Sequence, residues 1–187
     1  MGERRVHRSE DVLLELLPTD IGPIVLATNV EGQLLSLEFA RKEKQLRRYV
    51  KAIGYRIAGE PLVSPVSENS MLIAAYLAGD VLALDRVDVV LTGSPFRRQV
   101  AALMRKIPVG QTRSYGALAR ELGGLQRARA VARVAATNPL TLVVPCHRLL
   151  GSDGQLTGYG SGLHRKRWLL DHEARFAGQT FELSTKD

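Results

Sequence analysis

The sequence predicts an α+β chain in two parts, a small N-terminal antiparallel sheet followed by a mostly helical part that carries a helix-turn-helix. Three observations predict it. Short aliphatic and β-branched runs separated by turn residues fill positions 12–40. Helical apolar spacing dominates from position 95 onward. The balance of charge changes sign where the first pattern gives way to the second.

The N-terminal elements follow from punctuation. Residues 12–17 are closed by Pro18, residues 21–26 are followed by Asn29-Val30-Glu31-Gly32, and residues 34–39 complete a sheet with hairpin connections. Residues 43–53 and 67–77 have helical spacing, each with a glycine or polar terminus. Residues 87–91 read as one further strand. Thr92-Gly93-Ser94-Pro95 is a compact breaker, and the boundary is placed there. The expected division is a supporting domain at 1–92, a second domain at 93–177 and a polar tail at 178–187.

After the breaker come helices at 95–106, with Pro95 near the first position, at 114–122, with Ser114 as N-cap, and at 126–137, ended by Asn138-Pro139. The last two are short and are joined by Gly123-Gly124, which makes them a helix-turn-helix candidate. The second carries Arg127, Arg129 and Arg133 among Ala128, Ala130, Ala132, Ala135 and Ala136. Small side chains let a helix backbone approach a groove while the arginines reach phosphates or bases. Alanine-rich helices are more often simply good helices, so this feature alone carries limited weight.

Composition excludes several classes. With 45% hydrophobic and 24% charged residues the chain is ordinary for a globular protein. No apolar run approaches the roughly 18 residues that span a bilayer, so no membrane partner is expected. Met1-Gly2-Glu3-Arg4-Arg5 is too charged for a signal peptide, and the residues that follow do not complete a myristoylation site. The chain reads as cytosolic or nuclear. Its single cysteine excludes an internal disulfide and a thiolate-rich metal site, and no metal is expected.

The net charge of +7 is unevenly spread. Residues 1–94 carry 11 Lys/Arg against 13 Asp/Glu, whereas residues 95–175 carry 14 against 4. A basic block of that size points to a polyanion, because each phosphate contact releases condensed counterions. A merely solvated cationic face is the plainer alternative.

The apolar run at 141–144 reads as a buried strand that Pro145 ends, and Cys146-His147-Arg148 follows. Adjacent side chains on a regular strand face opposite ways, so a Cys–His relay requires the backbone to turn here. A thiol in apolar surroundings is inert unless a base or a positive group supports its thiolate. His147 can be that base, directly or through a water, and Glu173 is one of only four acids in residues 95–175 that could orient it. A lone cysteine is also among the most often buried residue types, and a neighbouring histidine often only satisfies a carbonyl. The glycine-dense loop at 154–162, with Thr157, Tyr159, Gly160 and Ser161, suits close backbone approach to a ligand. It leads into His164-Arg165-Lys166-Arg167. Cations in a first helical turn oppose its dipole by about 0.3–1 kcal/mol each, so the charge is expected to have a use, such as phosphate contact.

Val144-Pro145-Cys146-His147-Arg148, with Asn138-Pro139 before it and Gly158-Tyr159, Lys166, Leu169-Leu170 and Glu173 after it, closely resembles the O6-alkylguanine-DNA alkyltransferases. Arg113-Ser114-Tyr115-Gly116 and Ala128-Arg129-Ala130-Val131 match earlier motifs of that family in order and spacing. The match is strong over 95–175 and weaker over Ile21-Gly22-Pro23 and residues 37–39.

The resemblance implies a ribonuclease H-like N-terminal domain. It implies a helix-turn-helix that enters the minor groove of duplex DNA and turns the target nucleotide out into a pocket. Carried over, Arg129 fills the gap in the duplex and Ser114, Arg127, Arg133, Ala128 and Ala130 contact DNA. Tyr115 helps rotate the nucleotide and donates to the departing base. Cys146 is the nucleophile, His147 its water-mediated base, Glu173 the orienter of His147, and Asn138 the brace of the turn. Val144, Pro145, Arg148, Tyr159, Gly160, Ser161 and Lys166 line or adjoin the guanine pocket. The implied reaction is a single, irreversible alkyl transfer from guanine O6, or thymine O4, to Cys146, without a cofactor, by a monomer that binds DNA with or without cooperativity.

The sequence departs from the family pattern in having Ala101 where a tryptophan is usual and Ala132 where a glycine is usual. Three rivals are a lesion sensor without transfer, a helix-turn-helix regulator and a Cys-His hydrolase. The reactive cysteine disfavours the first, the Cys-His pair with its glycine loop the second, and the basic block the third.

Overall fold

The computed structural model describes residues 11–178 apart from 58 and 64. The charged N-terminus and residues 179–187 of the polar tail lie outside the described residues. Strands β1 (Asp11–Leu17), β2 (Ile24–Thr28) and β3 (Leu34–Phe39) form the expected antiparallel ladder. β2 and β3 are buried along their whole length because both faces of the sheet are covered. Val25, Ala27 and Leu35 face Leu46 and Val50 of α1 (Glu43–Ala52). Ile24, Leu26, Leu37 and Phe39 face a larger core that also takes Val100, Leu118, Val131, Cys146 and Leu169. The N-terminal sheet and the helical part therefore share one interior.

The strand expected at 21–26 starts instead at Ile24. Gly22 has φ +100°, its N–H donates to the Thr19 carbonyl at 3.0 Å, and Thr19 Oγ1 donates back to the Gly22 carbonyl at 2.6 Å, so these residues form the turn. Two strands that the sequence did not signal, β4 (Arg56–Ile57) and β5 (Leu62–Val63), pair with β1 in parallel. Helix α2 (Glu68–Ala78) begins at a Ser67 cap and ends at Gly79, which has φ +116°. Buried Glu15 of β1 accepts from the backbone of Val66 (3.0 Å) and Ser67 (2.9 Å) and from the hydroxyls of Ser67 and Ser70 at the start of α2. Burial pushes its carboxyl up, but these hydrogen bonds outweigh it and hold Glu15 below the ordinary range.

The strand expected at 87–91 is not formed. The segment touches β3 through one bridge, Leu34 to Val89. Further along the same edge Leu37 N–H donates to the Pro139 carbonyl (2.8 Å) and Thr141 N–H to the Leu37 carbonyl (3.0 Å). The free edge of β3 is thus shared by two distant segments, and the second of them leads to the cysteine.

In the second part α3 (Pro95–Arg105) has Pro95 at its start and Ser94 as cap. β6 (Arg113–Ser114) leads into α4 (Tyr115–Glu121), where Ser114 Oγ accepts the Ala117 N–H at 3.0 Å. A tight turn at Leu125–Arg127 precedes α5 (Ala128–Ala136), which therefore begins later than the spacing suggested. β7 (Leu149–Leu150) pairs in parallel with β6, and α6 (Leu163–Phe176) is the last element among the described residues. Among the described residues no helix is long and apolar enough to cross a membrane.

Candidate active site

The run at 141–144 is buried, as its composition suggests, but it is a coil rather than a strand. Leu142 has φ +75°, and Val144 N–H folds back onto the Leu140 carbonyl at 2.8 Å. Asn138, buried just beyond α5, explains the shape by offering the backbone an alternative to a ladder. Its Oδ1 accepts the Leu140 N–H at 3.0 Å, and its Nδ2 donates to the Val144 carbonyl at 2.8 Å. The same Nδ2 lies 3.3 Å from Cys146 Sγ.

Pro145 leads into a single tight helical turn, Cys146–Arg148. The backbone therefore leaves the extended direction between these two adjacent residues, so their side chains are not held to opposite faces as on a regular strand. Cys146 is only 6% exposed. Burial pushes its thiol up, the Asn138 amide pulls it down, Glu38 pushes it up, and Lys166 and Lys42 pull it down; the net shift is upward. The resting group is a thiol, so it needs a base.

His147 is fully buried, with Nε2 2.8 Å from Glu173 Oε1. An ionised carboxylate only accepts, so the proton sits on Nε2 and Nδ1 carries the lone pair. Nδ1 is buried and has no hydrogen-bond partner among the described residues. Burial lowers the pKa of His147, and Arg148 and Lys166 add to this, against the opposing pull of Glu173. The ring is therefore neutral and fit to accept a proton. Arg148 donates to Glu173 through Nε and Nη2, each at 2.9 Å, and through Nη1 to the Ile107 carbonyl at 2.5 Å. Although the resemblance puts Arg148 in the substrate pocket, these three nitrogens are engaged with the carboxylate and Ile107. Burial pushes Glu173 up, but His147 and Arg148 outweigh it and hold the carboxyl far below the usual range.

Lys166, also fully buried, donates to the carbonyls of Leu149 (2.5 Å) and Thr157 (2.7 Å), tying the glycine loop to β7. Burial lowers its pKa to about 8, against the pull of Cys146. Its ammonium lies 5.9 Å from the ring centre of Tyr115, whose hydroxyl donates to the Gly158 carbonyl at 3.3 Å. Burial and then the nearby Cys146 raise the pKa of both Tyr115 and Tyr159. The Tyr159 hydroxyl is buried without a partner among the described residues. The Gly160 carbonyl accepts from Arg41 (3.3 Å) and that of buried Ser161 from Arg165 (2.8 Å).

Two cations of this helix start, expected to have a use such as phosphate contact, are engaged within the protein. Arg165 donates to Ser161 and, at 2.7 Å, to the Ile21 carbonyl, and it stacks on Phe39 at 4.3 Å. Lys166 is interior, and Arg167 pairs with Asp171 at 3.0 Å. Arg165 and Lys166 thus tie the glycine loop to the rest of the fold, whereas His164 and Arg167 are exposed.

Helix α5 buries Val131, Val134 and Ala135 and exposes Arg129, Ala130 and Arg133. Arg129, Ala130 and Arg133 border one surface groove with Phe96 and Gln126. Ala128 is half-buried, and exposed Arg127 lies over the Phe96 ring at 5.8 Å. The Ser114 hydroxyl is engaged as a helix cap.

A family model described as the DNA-binding domain of 6-O-methylguanine DNA methyltransferase matches residues 95–175. The chain is 37% identical over 164 residues to the methylated-DNA–protein-cysteine methyltransferase of Salmonella typhimurium, covering 87% of this chain and 95% of that one. This chain belongs to the methylated-DNA–protein-cysteine methyltransferase family. The methyltransferase of Methanosarcina acetivorans is 35% identical over 158 residues, covering 84% and 96%. A crystal structure of Mycobacterium tuberculosis OGT in complex with DNA superposes with a TM-score of 0.72 at 33% identity, covering 88% and 94%.

In this methyltransferase fold several residues around the cysteine carried no sequence signal. Tyr76 of α2 donates to Glu173 Oε1 at 2.8 Å, and the Gly110 N–H reaches Oε2 at 3.3 Å. Glu38 of β3 accepts from Thr141 and Lys42, each at 3.2 Å. Ala101, where the family usually has tryptophan, borders a small, partly open pocket with Met104 and Val134.

Proposed function

We propose that this chain repairs alkylated DNA directly, by moving the alkyl group from guanine O6 onto Cys146 in one irreversible turnover. The observation that carries the reading is the thiol itself, buried against Asn138 beside a histidine whose Nε2 is locked to a carboxylate and whose Nδ1 is left to accept. His147 takes the thiol proton through a water. The thiolate displaces the alkyl carbon, a C–S bond forms, and the C–O pair stays with guanine. Tyr115 gives a proton to the departing base, and the proton held by His147 makes good that loss.

Duplex DNA is engaged through its minor groove by α5, with Arg129 replacing the extruded nucleotide and Arg127, Arg133, Ala128, Ala130 and Ser114 along the backbone. Loop residues 157–161 and Val144, Pro145, Tyr159 and Lys166 frame the guanine. Thymine O4 presents the same alkyl–oxygen bond and is a second substrate. The protein acts as a monomer, with residues 1–92 supporting residues 93–177.

The test is intact-protein and peptide mass spectrometry after incubation with an O6-methylguanine duplex, beside Cys146→Ser. One methyl group gained at Cys146, stoichiometric and absent from the variant, is the expected result. Tight lesion binding with no gain in mass overturns it and makes the protein a sensor. An O4-methylthymine duplex tests the second substrate in the same way.

A further inference from the structure

We propose that Tyr76, on α2 of the N-terminal part, is a positioning residue for the transfer, holding the Glu173 carboxylate and through it His147. The inference rests on the alkyl-transfer reading above and gives the N-terminal part a specific share in it.

The Tyr76 hydroxyl donates to Glu173 Oε1 at 2.8 Å, the same oxygen that faces His147 Nε2 at 2.8 Å and Arg148 Nη2 at 2.9 Å. Oε2 faces Arg148 Nε at 2.9 Å and the Gly110 N–H at 3.3 Å. A carboxylate offers about four lone-pair sites, so five donors leave it no spare capacity. Glu173 therefore stays an anion that orients Nε2–H and does not take its proton. Tyr76 is itself fixed from α6. Its ring is fully buried and meets His172 edge-on at 5.3 Å, and its carbonyl lies 2.8 Å from His172 Nε2. His172 in turn stacks on Trp168 at 4.7 Å.

A buried tyrosine often needs only some acceptor for its hydroxyl. Here the acceptor is the oxygen that sets the basicity of His147, so the hydroxyl has a chemical consequence. By sharing Oε1 it reduces the charge available to His147 Nε2–H and disfavours the imidazolium. The other charged groups acting on His147 are Glu173 and Lys166 of α6 and Arg148 of its own turn. The Tyr76→Phe change adds or removes no formal charge among them, so any shift of His147 comes through the Glu173 oxygen that Tyr76 shares.

The experiment uses the full chain with Tyr76→Phe, which keeps the ring, and with 3-fluorotyrosine at position 76 alone, which strengthens the donor. The readouts are the pH profile of alkyl transfer from free O6-benzylguanine and the His147 ring-proton titration by NMR. In Tyr76→Phe the acid limb and the His147 titration are expected to move to higher pH. The rate near the foot of the profile then falls on the order of threefold, and the plateau rate holds. The fluorinated protein is expected to shift both in the opposite direction. Unmoved profiles and titrations in both proteins, with or without a lower melting temperature, overturn the inference and leave Tyr76 a packing residue. If Tyr76→Phe does not fold, the fluorinated protein decides alone. A wild-type protein that gains no methyl group at Cys146 from an O6-methylguanine duplex sinks the alkyl-transfer reading instead, and the NMR titration still reports on Tyr76.

Discussion

His147 Nε2 lies 2.8 Å from Glu173 Oε1, and both side chains are fully buried. Arg148 closes on the same carboxylate, so one acid neutralises a buried guanidinium and orients an imidazole. Such an arrangement contributes little net stability while intact but is costly to break on one side.

Glu173→Gln is accordingly expected to destabilise the protein by about 3–5 kcal/mol, because Arg148 stays charged, buried and unpaired. Alkyl transfer should fall steeply, since the amide no longer dictates which nitrogen of His147 bears the proton. The pH dependence has a definite sign. The Glu173 carboxyl is held far below its unfolded value near 4.3, so its contribution is complete above that pH and declines as the pH falls. Denaturant titrations from pH 7 down to pH 3 should show a slope in the wild type that is weaker in Glu173→Gln. Parallel slopes would mean that the carboxylate has no special stake in the acid transition.

Asn138→Ala removes three contacts around the thiol at once. The Leu140 N–H and the Val144 carbonyl lose their buried partner, at about 1–3 kcal/mol each, and Sγ loses the Asn138 amide. That amide lowers the thiol pKa, so its loss should move the pH profile of iodoacetamide labelling at Cys146 upward. Stability and labelling are measured on the same preparation. A destabilised variant with an unmoved labelling profile would confine Asn138 to a structural role.

The elements legible in the sequence are those whose signal is local. β1, β3, α2, α3 and the Ser114 cap each announce themselves within about ten residues, through alternation, helical spacing or a capping side chain. Cys146 and His147 are adjacent, and Asn138 is close by. β4 and β5, at two residues each, are too short to show any period. The run at 141–144 reads as a strand from its β-branched residues, and only the side chain of Asn138 makes it coil. Tyr76 reaches Glu173 across 97 positions and Thr141 reaches Glu38 across 103, separations at which a single sequence holds no trace of contact. Arg165 misleads for a related reason, because its partner carbonyls at Ile21 and Ser161 are backbone groups that composition does not reveal.

Arg129 stands on the exposed face of α5, where it borders a groove with Phe96, Gln126 and Arg133. Arg129→Ala should slow repair of an O6-methylguanine duplex far more than reaction with free O6-benzylguanine, because only the duplex requires the nucleotide to be extruded. Stability should change by no more than about 0.5 kcal/mol, as for other exposed substitutions. The two rates, measured under single-turnover conditions at one salt concentration, check this. Equal losses on both substrates would remove Arg129 from base extrusion.

Arg165 joins the glycine loop to the N-terminal sheet, and its replacement tests whether that link matters to chemistry. The guanidinium spans the Ile21 and Ser161 carbonyls while its plane covers Phe39, a combination that a lysine cannot reproduce. Arg165→Ala should cost about 2 kcal/mol, from two charge-assisted hydrogen bonds and the stacking contact, and Arg165→Lys should recover only part of it. With Ser161 released, the glycine loop loosens, so on the proposed reading reaction with O6-benzylguanine slows. Iodoacetamide labelling of Cys146 stays as it was, because Asn138 and His147 are untouched. If both reagents slow together, the Ala variant has disturbed the cysteine turn itself. If neither slows, the bond from Arg41 to the Gly160 carbonyl is enough to hold the loop.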